Sequence, residues 1–201
     1  MVRAWVETVL EFRIGGWGMS NEYQAQIDPW SATAVVGRVD FGFDAIETVV
    51  VKAGKSTGVA VPKVATVGIR RNLGGFIQRA DLAGRFTPAD DGFHWIHQRI
   101  SSDLQQDDFA SRITQNRLLA VGLPAEFAQP VLETLTEFEP GLRPEGRIEV
   151  MGARFDIAGS SRNIFRSVAR LLKMVLLHDG AMSAVVLSGL LERETHEKID
   201  S

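Results

Sequence analysis

The segment from Arg147 to Ile157 constrains the fold more than any other. Ile148 and Val150 alternate with Arg147 and Glu149, the period of a strand with one buried and one polar face. Phe155 and Ile157 continue on a shifted phase after Gly152. A phase shift at a glycine predicts a β-bulge. Ser160 or Ser161 then stands as an N-cap. Behind it Ile164, Phe165, Val168, Leu171, Leu172 and Val175 recur at helical spacing. Arg162, Arg166, Arg170 and Lys173 fall mainly on the other side, and Asp179-Gly180 ends the helix. A two-faced strand leading into an amphipathic helix requires a sheet with helices layered on it.

The rest of the chain extends this pattern. Phe93 to Ile100 reads as a strand and Phe109 to Ile113 as a shorter one, joined by the polar stretch Ser101 to Asp108. A helix is expected from Pro124 to about Phe138, with Phe127, Val131, Leu135 and Phe138 as its stripe. Pro124 suits the first turn. Pro130 predicts a kink or a late start, because it removes a hydrogen bond. Pro140 and Gly141 stop the helix, and Ala184 to Leu191 reads as a last apolar strand. The order over residues 92–191 is β-β-α-β-α-β, which predicts an α+β protein built as a two-layer α/β sandwich.

Residues 1–60 are β-like. Val2 to Ile14 has a mixed period broken by Gly15-Gly16-Trp17-Gly18, Ala32 to Phe43 alternates, and Ile46 to Val51 is rich in β-branched residues. Met-Ser-Asn-Glu at Met19 reads as an alternative start, with 1–18 as an upstream extension. At ~150 residues per domain, 201 residues make one domain with some to spare. The expected organisation is a β-like extension or small subdomain over 1–60 packing on the main sheet, a sandwich over 61–191, and a frayed charged tail over 192–201.

Composition excludes several classes. With 45% hydrophobic and 23% charged residues the chain is neither disordered nor a coiled coil. It has no cysteine, which rules out a thiolate nucleophile and Cys-ligated metals and fits a cytoplasmic protein. No apolar stretch near the start is long enough for a membrane span, so no membrane partner is expected. The net charge of -3 means that a nucleic-acid role needs a local basic patch.

Four motifs carry candidate chemistry. Gly54-Lys55-Ser56 ends like a P-loop, but Val49 stands where the first glycine is needed, so a surface turn is the expectation. His94 and His97 are three apart; on a strand they point to opposite faces and share no metal, and none is expected. Asp156 and Ser160 lie close in sequence, yet no nucleophile elbow surrounds them and helix capping explains the serines. Lys63, Arg70, Arg71, Arg79 and Arg85 cluster against a single acid, Asp81, as a phosphate-binding surface requires.

A longer pattern runs through these residues. Pro62-Lys63-Val64-Ala65 with Ile69-Arg70, then Gly84-Arg85-Phe86, then Gly92-Phe93-His94-Trp95-Ile96, resembles successive blocks of domain IV of elongation factor G and its eukaryotic counterpart. Asn116, Leu123, Pro124, Glu126, Phe127 and Val131 match a further block, as do Phe155, Ser160, Ser161, Phe165 and Arg166. Val185 to Leu191 resembles the closing strand. The resemblance covers roughly 61–191 and implies the ribosomal-protein-S5-domain-2-like fold, with a left-handed crossover. The family's glycine-rich basic tip is shortened here to Thr87-Pro88-Ala89-Asp90-Asp91, and Ile157-Ala158-Gly159 replace acids before the serines. The family's GTPase domain has no counterpart in these residues.

The leading expectation is therefore a non-enzymatic binding module without cofactor, contacting the ribosome or structured RNA through Lys63, Arg70, Arg71, Arg79 and Arg85. A second is a small-molecule enzyme of lyase or transferase type, using His94, His97, Asp156 and Ser160 with histidine as acid or base. A third is a homo-oligomerising interaction protein, whose interface Trp5, Trp17 and Trp30 would mark if exposed together.

Overall fold

The computed structural model describes residues 20–39, 41–55, 61–89, 91–101, 113–114, 117–138, 145–157 and 159–196. Trp5, Trp17, Met19, Phe109, Asn116, Pro140, Gly141 and the stretch 56–60 lie outside them. The described strands are β1 (Asn21–Ile27), β2 (Trp30–Val36), β3 (Glu47–Lys55), β4 (Lys63–Leu73), β5 (Phe76–Pro88), β6 (Phe93–Ile100), β7 (Ile113–Thr114), β8 (Arg117–Val121) and β9 (Gly146–Asp156). The helices are α1 (Ala125–Thr136), α2 (Arg162–Leu177) and α3 (Ala184–His196). The strands form one large open sheet in the order β1-β2-β4-β5-β9-β6-β3, with β8 also on β9 and β7 on β8. The protein is a mixed α+β structure with its described helices layered on the sheet.

Strand β9 lies at the centre, antiparallel to β5 and parallel to β6. Ala83 pairs with Gly152 while Gly84 pairs with Val150, so Met151 is the extra residue of a bulge. The bulge turns Ala153 and Phe155 to the same face as Ile148 and Val150, and all four are buried. Ile157, expected to continue this face, is exposed in the turn after β9. Ser161 caps α2, its Oγ accepting from the Ile164 N–H at 3.3 Å. Helix α2 packs on β4 and β5, α1 on α2 and β6, and α3 on β1, β2 and α2.

Further expectations need correction. Ala184 to Leu191 is a helix, not a strand. Ala184, Leu187, Ser188, Leu191 and Glu194 are buried at three- and four-residue spacing, and Ser183 Oγ accepts from the Val186 N–H at 3.1 Å. A short apolar run fits either element, and here the buried period is helical. The residues from Glu192 to His196 accordingly continue α3 rather than fray, and Glu194, with 0% of its side chain exposed, binds Arg170 at 3.0 Å. Helix α1 starts at Ala125 with Pro130 inside it, so of the two expectations for Pro130 the late start does not hold; it ends at Thr136, short of Phe138. Gly54 and Lys55, expected in a turn, close β3 instead, paired with His94 and Phe93, while Ser56 lies outside the described residues.

Phe41 and Phe43, expected in a strand, lie in the connection from β2 to β3. The chain leaves β2 at Gly37, whose φ of 95° a glycine accommodates. Arg38 carbonyl accepts from Thr66 Oγ1 at 3.1 Å, and Phe41 is buried with its main chain against Gly152. Ile46 N–H then donates to Ile100 carbonyl at 2.9 Å. The connection thus crosses the sheet face opposite the helices and delivers β3 to the far edge.

Candidate nucleic-acid interface

Register decides which side chains share that face, which lies opposite the described helices. One row runs Gln26, Ser31, Arg70, Arg79 across β1, β2, β4 and β5. The next runs Gln24, Thr33, Gly68, Asp81, Arg154 and reaches β9. Side chains from both rows line a groove of about 360 Å³. Arg79 and Arg70 are directly opposite, an arrangement that repels. Asp81, nearly buried, offsets it by taking Arg79 and Arg154 each at 2.9 Å. A Cβ at position 68 would stand 2.5 Å from Asp81 Oδ1, so the glycine makes room for the carboxylate.

Beyond the crossing segment, a third row holds Val64, Arg85, Glu149, His97 and Val50, and a fourth Thr87, Arg147, Trp95 and Lys52. Arg85 binds Glu149 at 2.5 Å. The Arg154 guanidinium also lies 4.1 Å from the Phe41 ring centroid.

The expected basic cluster is therefore split. Arg70, Arg79 and Arg85 lie on the open face. Arg71 is on the helical side with its guanidinium 4.7 Å from the Trp30 ring, and Lys63 Nζ donates to His178 carbonyl at 2.6 Å. Burial lowers the Lys63 pKa, with Asp179 opposing the shift. The cations of α2 hold the helix layer together: Arg166 binds Glu133 at 3.2 Å, Arg170 binds Glu194, and Lys173 Nζ donates to Thr134 carbonyl at 2.8 Å. Sequence reasoning missed Arg154, Arg147, Lys52 and Trp95. The alternation of Phe93, Trp95 and His97 was the available signal for the aromatic part.

The residues named for an enzyme do not converge. His94 is buried on the helical side against Phe86 and Phe138, at ring distances of 6.3 and 4.6 Å. His97 is on the open face. Asp156 lies seven residues along β9 from Glu149, the partner of His97, or roughly 20 Å at the strand rise. Ser160 and Asp156 build a turn: Ser160 Oγ donates to Arg79 carbonyl and accepts from the Asp156 N–H at 2.9 Å, while Asp156 Oδ1 accepts from the Gly159 N–H at 3.1 Å. The hydroxyl proton is committed to a carbonyl rather than to a base. Trp30 is buried, so it marks no exposed interface. Among the described residues no group of three or more His, Cys, Asp or Glu is placed to hold a metal, and no helix is long and apolar enough to cross a membrane.

His97 has its pKa lowered, first by burial and then by Arg147, with Glu149 opposing. The folded chain thus binds this proton less readily than the unfolded chain, so stability rises with pH up to the ordinary value near 6.5 and falls as pH drops below it. His97→Gln is expected to flatten this part of the profile, as read from melting temperature between pH 5 and 8. An unchanged slope in the variant refutes the assignment.

No family model, curated protein or solved structure matches the chain.

Proposed function

We propose that the chain is a non-enzymatic binding module that receives structured RNA on the open face of its sheet. The observation that carries this reading is the set of arginines on that face, Arg70, Arg79, Arg85, Arg147 and Arg154, with Asp81 and Glu149 as the carboxylates in their rows. Guanidinium groups on rigid strands suit phosphate, which they bind through paired N–H donors. The resemblance of residues 61–191 to elongation factor G domain IV, with its S5-like sandwich, makes ribosomal RNA the first RNA to test. The fold analogy is a weaker support than the charge pattern. A net charge of -3 confines the attraction to this face and makes it sensitive to salt.

Filter binding with ribosomal RNA fragments at low salt tests the reading. The wild-type chain is expected to bind with an affinity that falls linearly in log–log form as salt rises. Arg70→Gln with Arg85→Gln is expected to lower that slope by about 1.5, at ~0.7–0.9 per lost phosphate contact. Absence of salt-dependent binding by the wild-type chain overturns the proposal.

A further inference from the structure

A second cavity opens on the same face, beyond the crossing segment. It encloses about 260 Å³ and is lined by Val50, Thr87, Asp91, Trp95, His97 and Arg147, among others. Its chemistry differs from that of the arginine groove. Trp95 is half-buried, and its indole is fixed in place by Nε1–H donating to Asp91 Oδ2 at 2.7 Å. Asp91 is itself anchored by the Phe93 N–H at 3.0 Å to its other oxygen. Lys52 Nζ lies over the Phe93 ring at 3.0 Å and 5.4 Å from the Trp95 ring. Arg147 has no ion-pair partner among the described residues. Aromatic, cationic and imidazole groups therefore meet in one recess on neighbouring strands.

Each group has a role that an unstacked nucleotide would use. A fixed indole is a stacking surface for any base, because every base has a π face. A neutral imidazole offers one hydrogen-bond donor and one acceptor, the pair that a base edge requires. Arginine and lysine at the rim take the flanking phosphates. Single-stranded loops and bulges present such bases, whereas duplex RNA keeps them stacked.

We infer that this recess binds an unpaired base of a single-stranded RNA segment, with Trp95 as the stacking surface, His97 at the base edge and Arg147 and Lys52 at the phosphates. The inference rests on the open face being an RNA-binding surface, and it adds a preference for unpaired nucleotides.

Fluorescence anisotropy of labelled hexaadenylate at low salt tests it. The wild-type chain is expected to bind the hexamer and to prefer it over a duplex of equal length. Trp95→Leu is expected to weaken hexamer binding roughly tenfold, within the range of one lost stack. Trp95→Phe, which keeps a π face, is expected to recover most of that loss. Arg147→Gln is expected to lower the salt slope by about 0.7. Near-identical affinities for wild type and a folded Trp95→Leu, or equal weakness of the Leu and Phe variants, overturn the inference. If the wild-type chain binds ribosomal RNA fragments but not the hexamer, the base recess is refuted while the open-face reading stands. If it binds neither, both fail.

Discussion

Phe165→Ala is expected to destabilise the protein by about 3–5 kcal/mol, the range for removing a buried aromatic ring. Phe165 is fully buried on α2, stacked on Phe127 of α1 at 4.5 Å between ring centroids and edge-on to Phe155 of β9 at 6.5 Å. Phe127 and Phe155 also meet, at 5.3 Å. Three rings from three different elements thus meet here, with Phe127 and Phe155 bounding the Phe165 site. Closing the cavity would therefore require two helices and the central strand to move together, which places the loss towards the upper end. Against a total stability of about 5–15 kcal/mol, such a loss is a large share. For a chain of this size it corresponds to a fall in melting temperature on the order of 10 °C. Phe165→Leu keeps most of the volume and is expected to cost about half as much or less. Urea denaturation is the check: the midpoint falls, the slope does not, and RNA binding on the opposite face survives wherever the variant is folded. A loss below about 1 kcal/mol in the alanine variant would show that the three rings do not form a shared core.

Parts of this arrangement can be read from the sequence because the physics is local. The phase shift at Gly152 is a property of neighbouring residues, and the bulge is found there. The Ser161 cap and the α2 stripe are local too. His94 and His97 fall on opposite faces because strand period alone decides it. Other parts depend on distant contacts. Ala184 to Leu191 suits a strand until Leu187 and Leu191 find the same buried surface one helical turn apart. The path of Gly37 to Ile46 across the sheet is set by Gly152, more than a hundred residues away, which leaves space for the Phe41 main chain. Gly74 and Gly75, with φ values of 62° and 97°, form the turn from β4 to β5. Strand alternation is also what divides the basic residues, because it sends Arg70 to one face of β4 and Arg71 to the other. The candidate site was legible as residue types, but its membership was not, since Arg154, Arg147 and Trp95 join it only through strand register.

Asp81→Asn is expected to lower stability and raise RNA affinity at the same time. The carboxylate has 5% of its side chain exposed and is the direct partner of Arg79 and Arg154, which are 20% and 27% exposed. Asparagine keeps the shape and one acceptor but removes the charge, leaving two guanidinium groups facing each other. Breaking a buried pair costs about 3–5 kcal/mol. The partial exposure of both arginines lets water take up some of that loss, so about 2–3 kcal/mol is expected here. Arg79, directly opposite Arg70 across β4 and β5, loses its carboxylate partner as well. An incoming phosphate would restore what the substitution removes, so the groove gains affinity for anions as it loses stability. Thermal denaturation and filter binding at several salt concentrations read the two effects separately. Tighter, more salt-sensitive RNA binding by a less stable protein supports the arginine groove as the contact surface. If binding weakens in step with stability, Asp81 is only a structural bridge and the RNA does not lie over it.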